Sequence, residues 1–192
     1  FSLAEMTQLF DIQDVNKAAS SFNTDKLLWL NQHYIKTSEP EHVAQHLSWH
    51  MGELGIDPTD GPALVDVVVL LQERAKTLKE MAESSVYFYR DVDAYDEKAA
   101  QKNLTETSLP LLEAVLAELT ELNDWLAEPI HSVIKSCAEK HEVGMGKVAQ
   151  PIRVAITGNT VSPSLDATLE LYGRERALTA IQRAINWIKD HA

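Results

Sequence analysis

The sequence predicts an all-α fold made of several small packed helical units. Apolar residues recur at helical spacing along most of the chain, and no Asn-Gly hairpin or alternating strand series interrupts them. Ser, Pro and Gly fall where helices would start and stop.

Residues 25–34 read as a helix through Leu27, Leu28, Leu30 and Tyr34, with Trp29 and Tyr34 expected to point into a core. A second helix is expected over 41–54, closed near Gly55. Residues 62–89 form a long helical stretch that breaks once. Its valine-rich run from Val65 to Leu71 resembles a strand locally, but the length and the Lys/Glu continuation favour a buried helix face. Residues 92–102 read as a loop and a short helix. From Leu111 the positions Leu112, Val115, Leu116, Leu119 and Leu122 make one stripe of an amphipathic helix, with Ser108 and Pro110 at its start. Ser162-Pro163 is expected to supply the N-cap and first residue of a short helix ending near Gly173. The final helix carries Ala177, Leu178, Ile181, Ala184, Ile185 and Ile188 on one face.

With 192 residues, 45% of them hydrophobic, the chain can bury a core without disulfides or metals. Its one cysteine, Cys137, has no internal partner, which fits a reducing cytoplasm. It begins Phe1-Ser2-Leu3 without a starting Met, and no stretch approaches a membrane span. A piece of a longer soluble, cytoplasmic protein is therefore expected.

The formal net charge is −12. Residues 128–192 hold eight Lys and Arg against seven Asp and Glu, so the acidity belongs to the first two thirds. A nucleic-acid footprint needs only a local basic surface, so the global charge does not decide the partner.

Few chemical motifs are present. No GxGxxG or GxxxxGK[ST] phosphate loop occurs, and Gly144-Met145-Gly146-Lys147 reads as a helix lead-in. His42, His46 and His50 share a helix face at spacing four, which could grip a metal, but no HExxH motif or cysteine cluster accompanies them. An ordinary polar face is the reading, with no metal site assigned. Cys137 reads as a buried structural thiol, and Asp91/Asp93 as part of a solvated acidic loop. On these grounds alone the chain is a soluble all-α protein and a candidate binding module.

One segment is more specific. Gly146-Lys147-Val148-Ala149-Gln150-Pro151-Ile152-Arg153-Val154-Ala155-Ile156-Thr157-Gly158, followed by Ser162-Pro163 and Leu165, resembles a signature of bacterial glutamyl-tRNA synthetases. Three further matches occur in the same order: Lys26–Ile35 within a stem-contact segment, Arg74–Met81 in a first anticodon-binding domain, and Gly173–Leu178 in a closing helix. The resemblance covers essentially the whole chain. It implies multi-helix anticodon-binding bundles of a class I aminoacyl-tRNA synthetase: a stem-contact segment over residues 1–38, a first anticodon-binding helical domain over 39–90 and a second over 91–192.

The family's enzymes join glutamate to tRNA(Glu) using ATP and Mg2+ on an N-terminal catalytic domain whose HIGH-like and KMSKS-like motifs are absent from this sequence. The resemblance thus implies a tRNA-binding part that lacks the catalytic domain, holds no cofactor, is inactive alone and is monomeric. Arg74 matches an arginine that reads the third anticodon letter. A guanidinium fork can meet the acceptor edge of cytosine and crowd out guanine. Arg153 matches an arginine near the anticodon loop, and Lys135 a position where the family can carry an arginine. Thr157, Gly158, Ser162, Pro163 and Leu165 match the loop and helix start that meet splayed anticodon bases; Thr160 and Val161 depart from the pattern. The alternative is an all-α protein-interaction or adaptor module without RNA binding, for which Arg74, Lys135 and Arg153 need not converge.

Overall fold

Helical spacing becomes eleven α-helices, and no strand occurs among the described residues of the computed structural model, which are 1–15, 18 and 21–191. Residues 16, 17, 19 and 20 of the expected stem-contact segment, and residue 192, lie outside them. Helix α1 (Leu3–Leu9) opens on a capping box, in which the Ser2 hydroxyl accepts from the Glu5 amide and the Glu5 carboxylate accepts from the Ser2 amide. α1 buries none of its residues.

Helix α2 (Thr24–Thr37) is capped by Asn23, and Ile35 is its only fully buried residue. Trp29 and Tyr34, expected in a core, are 63% and 59% exposed. Neither Trp29 nor Tyr34 lies on the helix face that Ile35 buries. Trp29 instead stacks on His33, with ring centroids 5.9 Å apart.

The predicted 62–89 stretch divides into α4 (Leu64–Leu71), α5 (Leu78–Ser85) and a 3-10 turn (Val86–Phe88). The break has a local cause. The Thr77 hydroxyl accepts from the Glu80 amide, while a Glu80 carboxylate oxygen accepts from the Lys76 amide at 3.0 Å. These two bonds start a new helix at Leu78. α4 buries Val67, Val68 and Leu71, as the valine-rich run predicts. α3 (Pro40–Glu53) packs against both α4 and α5.

The remaining helices are α6 (Glu97–Asn103), α7 (Leu109–Thr120), α8 (Ala127–Lys140), α9 (Met145–Thr157), α10 (Leu165–Tyr172) and α11 (Arg174–His191). α7, α8, α9 and α11 pack around one another, and α10 lies between α8, α11 and α4. The buried apolar residues therefore form one cluster running from Ile35 to Ile188. Each fully buried Leu or Ile in it, such as Leu119, Ile152 and Ile181, contributes on the order of 1.5–3 kcal/mol. Ser108 occupies the N-cap position of α7 but does not cap it, because its hydroxyl donates to Thr105 O and accepts from Thr105 N.

Arg176 fixes the segment that matters most for the site. From α11 its guanidinium donates to the Phe88 and Tyr87 carbonyls and to Asp91, and it lies 4.4 Å over the Tyr172 ring. The end of the α5 turn is thereby stapled to the C-terminal helix.

Candidate nucleic-acid interface

Two arginines 79 positions apart in sequence meet on one serine. Arg74, in the turn after α4, donates from Nη1 to the Ser162 carbonyl at 2.8 Å. Arg153, on α9, donates from Nε to the Ser162 hydroxyl at 2.8 Å, and that hydroxyl donates to Pro163 O at 3.0 Å. Among the described residues neither guanidinium has a carboxylate within ion-pair distance. Partial burial, and next the neighbouring Arg74 charge, pull the Arg153 pKa below its ordinary value. Two guanidiniums held side by side without a direct carboxylate partner favour an acceptor-rich ligand.

The local sequence explains how the serine is presented. α9 continues through Pro151, which gives up one ladder bond, and ends at Gly158 with φ +74°. A Cβ at Gly158 would sit 3.0 Å from Val92 Cγ1, so glycine meets both the conformation and the close approach. The Gly158 carbonyl accepts from the Asp96 amide at 2.9 Å, tying the loop to the start of α6. The Thr157 hydroxyl donates to Arg153 O and accepts from the Asn159 amide, which closes the turn.

The expected N-cap role of Ser162 is corrected. α10 starts at Leu165 and Ser164 is its N-cap residue, because the Ser162 hydroxyl is already engaged by Arg153 and Pro163.

A cleft of about 680 Å³ opens beside this clamp. Arg74, Thr157, Ser162 and Pro163 line it, and Arg153 anchors its wall through Ser162. Gly158 is buried behind the loop, and Leu165 is buried in the core at the base of α10. Lys135 does not line the cleft; it is exposed on α8 with Glu139 3.9 Å away. Sequence reasoning missed the facing residues Glu80, Glu83, Ser84 and Tyr87, together with Asn159. Their spacing along α5 and its turn marks one helical face, but that signal points equally well to an ordinary solvated surface.

Tyr87 lies under the two arginines. Its hydroxyl is buried beside Thr168 without a well-formed hydrogen bond. Burial raises its pKa strongly, and the Thr168 hydroxyl and the two arginines offset this only in part.

The histidines expected on one face of α3 are there as a polar surface. His42 and His46 meet edge to face at 4.8 Å, and Trp49 meets His50 in the same way. Among the described residues no group of three or more His, Cys, Asp or Glu side chains is placed to hold a metal. Cys137 is fully buried, with its sulfur 3.9 Å from Leu111 O, and burial raises its thiol pKa.

A family model described as an anticodon-binding domain matches residues 41–185. The chain belongs to the anticodon-binding domain family. Along its whole length the chain is 53% identical, over 191 residues, to glutamate–tRNA ligase 1 of Nitrosococcus oceani, of which it spans 40%. Two solved structures share its fold. A glutamate tRNA ligase from Elizabethkingia meningosepticum, in complex with its amino acid, superposes with a TM-score of 0.87 at 27% identity, covering 98% of this chain and 37% of that one. The glutamate-tRNA synthetase of Elizabethkingia anophelis gives 0.83 at 28% identity, covering 97% and 36%. The chain thus spans about two fifths of the length of the relatives it matches, and the matched portion contains the arginine clamp. No helix among the described residues is long and apolar enough to cross a membrane.

Proposed function

We propose that this chain is the tRNA-holding, anticodon-reading part of a glutamate–tRNA ligase, and that Arg74 reads the third anticodon letter of tRNA(Glu) in the cleft beside Ser162. The observation that carries this is the pair of guanidiniums converging on Ser162, neither of them, among the described residues, within ion-pair distance of a carboxylate. Two guanidiniums brought together beside a cleft large enough for a nucleobase suit an acceptor-rich RNA loop. Of the three cations whose convergence separates an RNA reader from an adaptor module, Arg74 and Arg153 meet and Lys135 stands apart.

In this reading Arg74 donates its remaining N–H groups to the acceptor edge of cytosine. Arg153 holds the 157–163 loop and faces a neighbouring phosphate or base. Thr157, Gly158, Ser162, Pro163 and Leu165 set the loop and the helix start behind the bases, and Lys135 is a more distant point charge for the backbone. Binding strength comes chiefly from phosphate contacts and falls with salt, while the anticodon loop supplies specificity. Residues 1–38 serve as the stem-contact segment, 39–90 as the first anticodon-binding domain and 91–192 as the second.

The complete enzyme would attach glutamate to its tRNA in the cytoplasm, with ATP and Mg2+ held by an N-terminal catalytic domain. This chain has neither ATP motif, so no residue here is assigned to those ligands and the chain alone is inactive in aminoacylation. The uncovered apolar residues of the first segment, among them Phe1 at 92% exposure, suit contact with that domain. The chain itself is proposed to be a monomer.

The test is direct binding of the 192-residue chain to a tRNA(Glu) transcript at fixed low salt, with an unrelated tRNA as competitor. Preference for tRNA(Glu), weakened about 10-fold or more by Arg153→Ala, supports the reading. Equal affinity for both RNAs, unchanged in Arg74→Ala and Arg153→Ala, refutes it.

A further inference from the structure

The cleft beside Ser162 is not uniformly basic. Arg74 lines it together with two carboxylates, Glu80 and Glu83, on α5. Among the described residues neither carboxylate is within 4.0 Å of Arg74, so the opposite charges do not cancel in a direct pair. Their situations differ. One Glu80 oxygen accepts from the Lys76 amide, where it helps to start α5. Among the described residues Glu83 has one ion pair, with Lys79 at 4.0 Å one turn earlier on α5, and it is half exposed, so its acceptors remain available.

A cleft with donors and an anionic acceptor is poorly suited to a phosphate, which Glu83 would repel. It suits the edge of a base that carries both acceptors and an amino group. Cytosine presents its O2 and N3 acceptors beside its 4-amino donor. Uracil has a carbonyl where that amino group stands. Ser84 and Asn159 also line the cleft, but a hydroxyl or an amide can donate as well as accept, so neither excludes a carbonyl by itself. An ionised carboxylate accepts only. Seated against uracil O4 it would face a second acceptor and lose water without compensation.

Taking as its basis the reading that this cleft holds the third anticodon letter, we infer that Glu83 is a specificity-determining residue that accepts a hydrogen bond from the cytosine amino group and rejects uracil. The division of labour is physical. Arg74 answers to the acceptor edge and to size, and so separates cytosine from guanine. Glu83 answers to amino against carbonyl, and so separates cytosine from uracil. Replacing the third letter C by U turns a glutamate anticodon into a lysine anticodon, whereas replacing it by G gives a glutamine anticodon. One cleft therefore guards against two different wrong tRNAs with two residues of opposite charge.

The experiment uses three tRNA(Glu) transcripts with C, U or G as third letter, bound to the wild-type chain, Glu83→Gln and Glu80→Gln at one salt concentration. Wild type is expected to prefer C over U by about 5- to 150-fold, the range of one well-formed base contact. Glu83→Gln brings the C/U ratio to within about 3-fold of unity, since the amide can turn its NH2 toward O4, and leaves the C/G ratio in place. Glu80→Gln, at a side chain whose oxygen is tied to the Lys76 amide, keeps a higher C/U ratio than Glu83→Gln. A wild-type C/U ratio that survives Glu83→Gln, with C/G discrimination present, overturns the role of Glu83 and leaves the anticodon reading standing. A C/U ratio lost in Glu80→Gln alone moves the role to the other carboxylate and overturns it as well. No preference among the three transcripts in wild type overturns the underlying reading itself. Glu83 is half exposed, so its substitution does not threaten the fold, and an unchanged unfolding midpoint serves as the control.

Discussion

Ser162→Ala separates the two halves of the arginine clamp. The substitution removes the acceptor for Arg153 Nε at 2.8 Å and the donor to Pro163 O at 3.0 Å. It leaves the main-chain carbonyl that Arg74 uses at 2.8 Å. A hydrogen bond to a charged group contributes about 1.5–3 kcal/mol. Arg153 is only partly buried, so water recovers a good share, and the net stability cost is about 1 kcal/mol. For a chain of this size that lowers the thermal midpoint by about 2–4 °C. Arg153 would then no longer be oriented, and RNA affinity is expected to fall roughly 5- to 30-fold, an interaction loss of about 1–2 kcal/mol. The loss is the same for third-letter C and G transcripts, because the Arg74 clamp persists. Thermal unfolding and fluorescence anisotropy on the same preparation check both numbers. A C/G ratio that changes more than about 3-fold would show that the side-chain and main-chain clamps are not separable, and the reasoning would fail.

Further expectations follow from the same geometry. Gly158→Ala forces a φ of +74° on an L-residue and places its Cβ 3.0 Å from Val92; a cost of about 1–3 kcal/mol is expected in denaturant unfolding, with Gly158→Asn costing less. Arg176→Lys replaces a fork that reaches Tyr87 O, Phe88 O and Asp91 by a point charge, and about 1–3 kcal/mol of stability should be lost, measured by urea titration. The Cys137 thiol, buried and raised in pKa, is expected to resist alkylation at pH 8 until the chain is unfolded, which mass spectrometry resolves. Burial, and secondarily Asp66, push the Tyr89 phenol up to about 12, and burial raises Tyr87 as well. Above about pH 10 the unfolded chain therefore holds fewer phenolic protons than the folded one. Stability is full below that pH and declines as pH rises through the folded values, which urea unfolding at pH 9 and pH 11 tests.

The apolar stripes of α7 and α11 were legible because each lies within one continuous helix, where spacing alone fixes which residues share a face. The buried side of α4 was legible for the same reason. The exposure of Trp29 and Tyr34 was not, since burial depends on what packs against α2 and the sequence of that helix cannot report it. Ser162-Pro163 carried a helix-start pattern, but the competing bond came from Arg153 nine positions earlier, and a distant partner outbid the local rule. Arg74 and Ser162 are 88 positions apart, so their contact had no local signature; only resemblance drew attention to Arg74. The acidic wall of the cleft escaped entirely, because Glu80 and Glu83 look like any solvated helix face until the cleft they line is seen.

The most direct test of the central claim compares tRNA(Glu) transcripts carrying C or G as third anticodon letter, bound to wild type and Arg74→Ala across a salt series. Affinity for both transcripts should fall with salt in parallel, and wild type should favour C by about 5- to 150-fold at every salt concentration. Arg74→Ala should abolish that ratio. A preference that persists undiminished without Arg74, or a wild-type chain that binds both transcripts equally, would contradict the account.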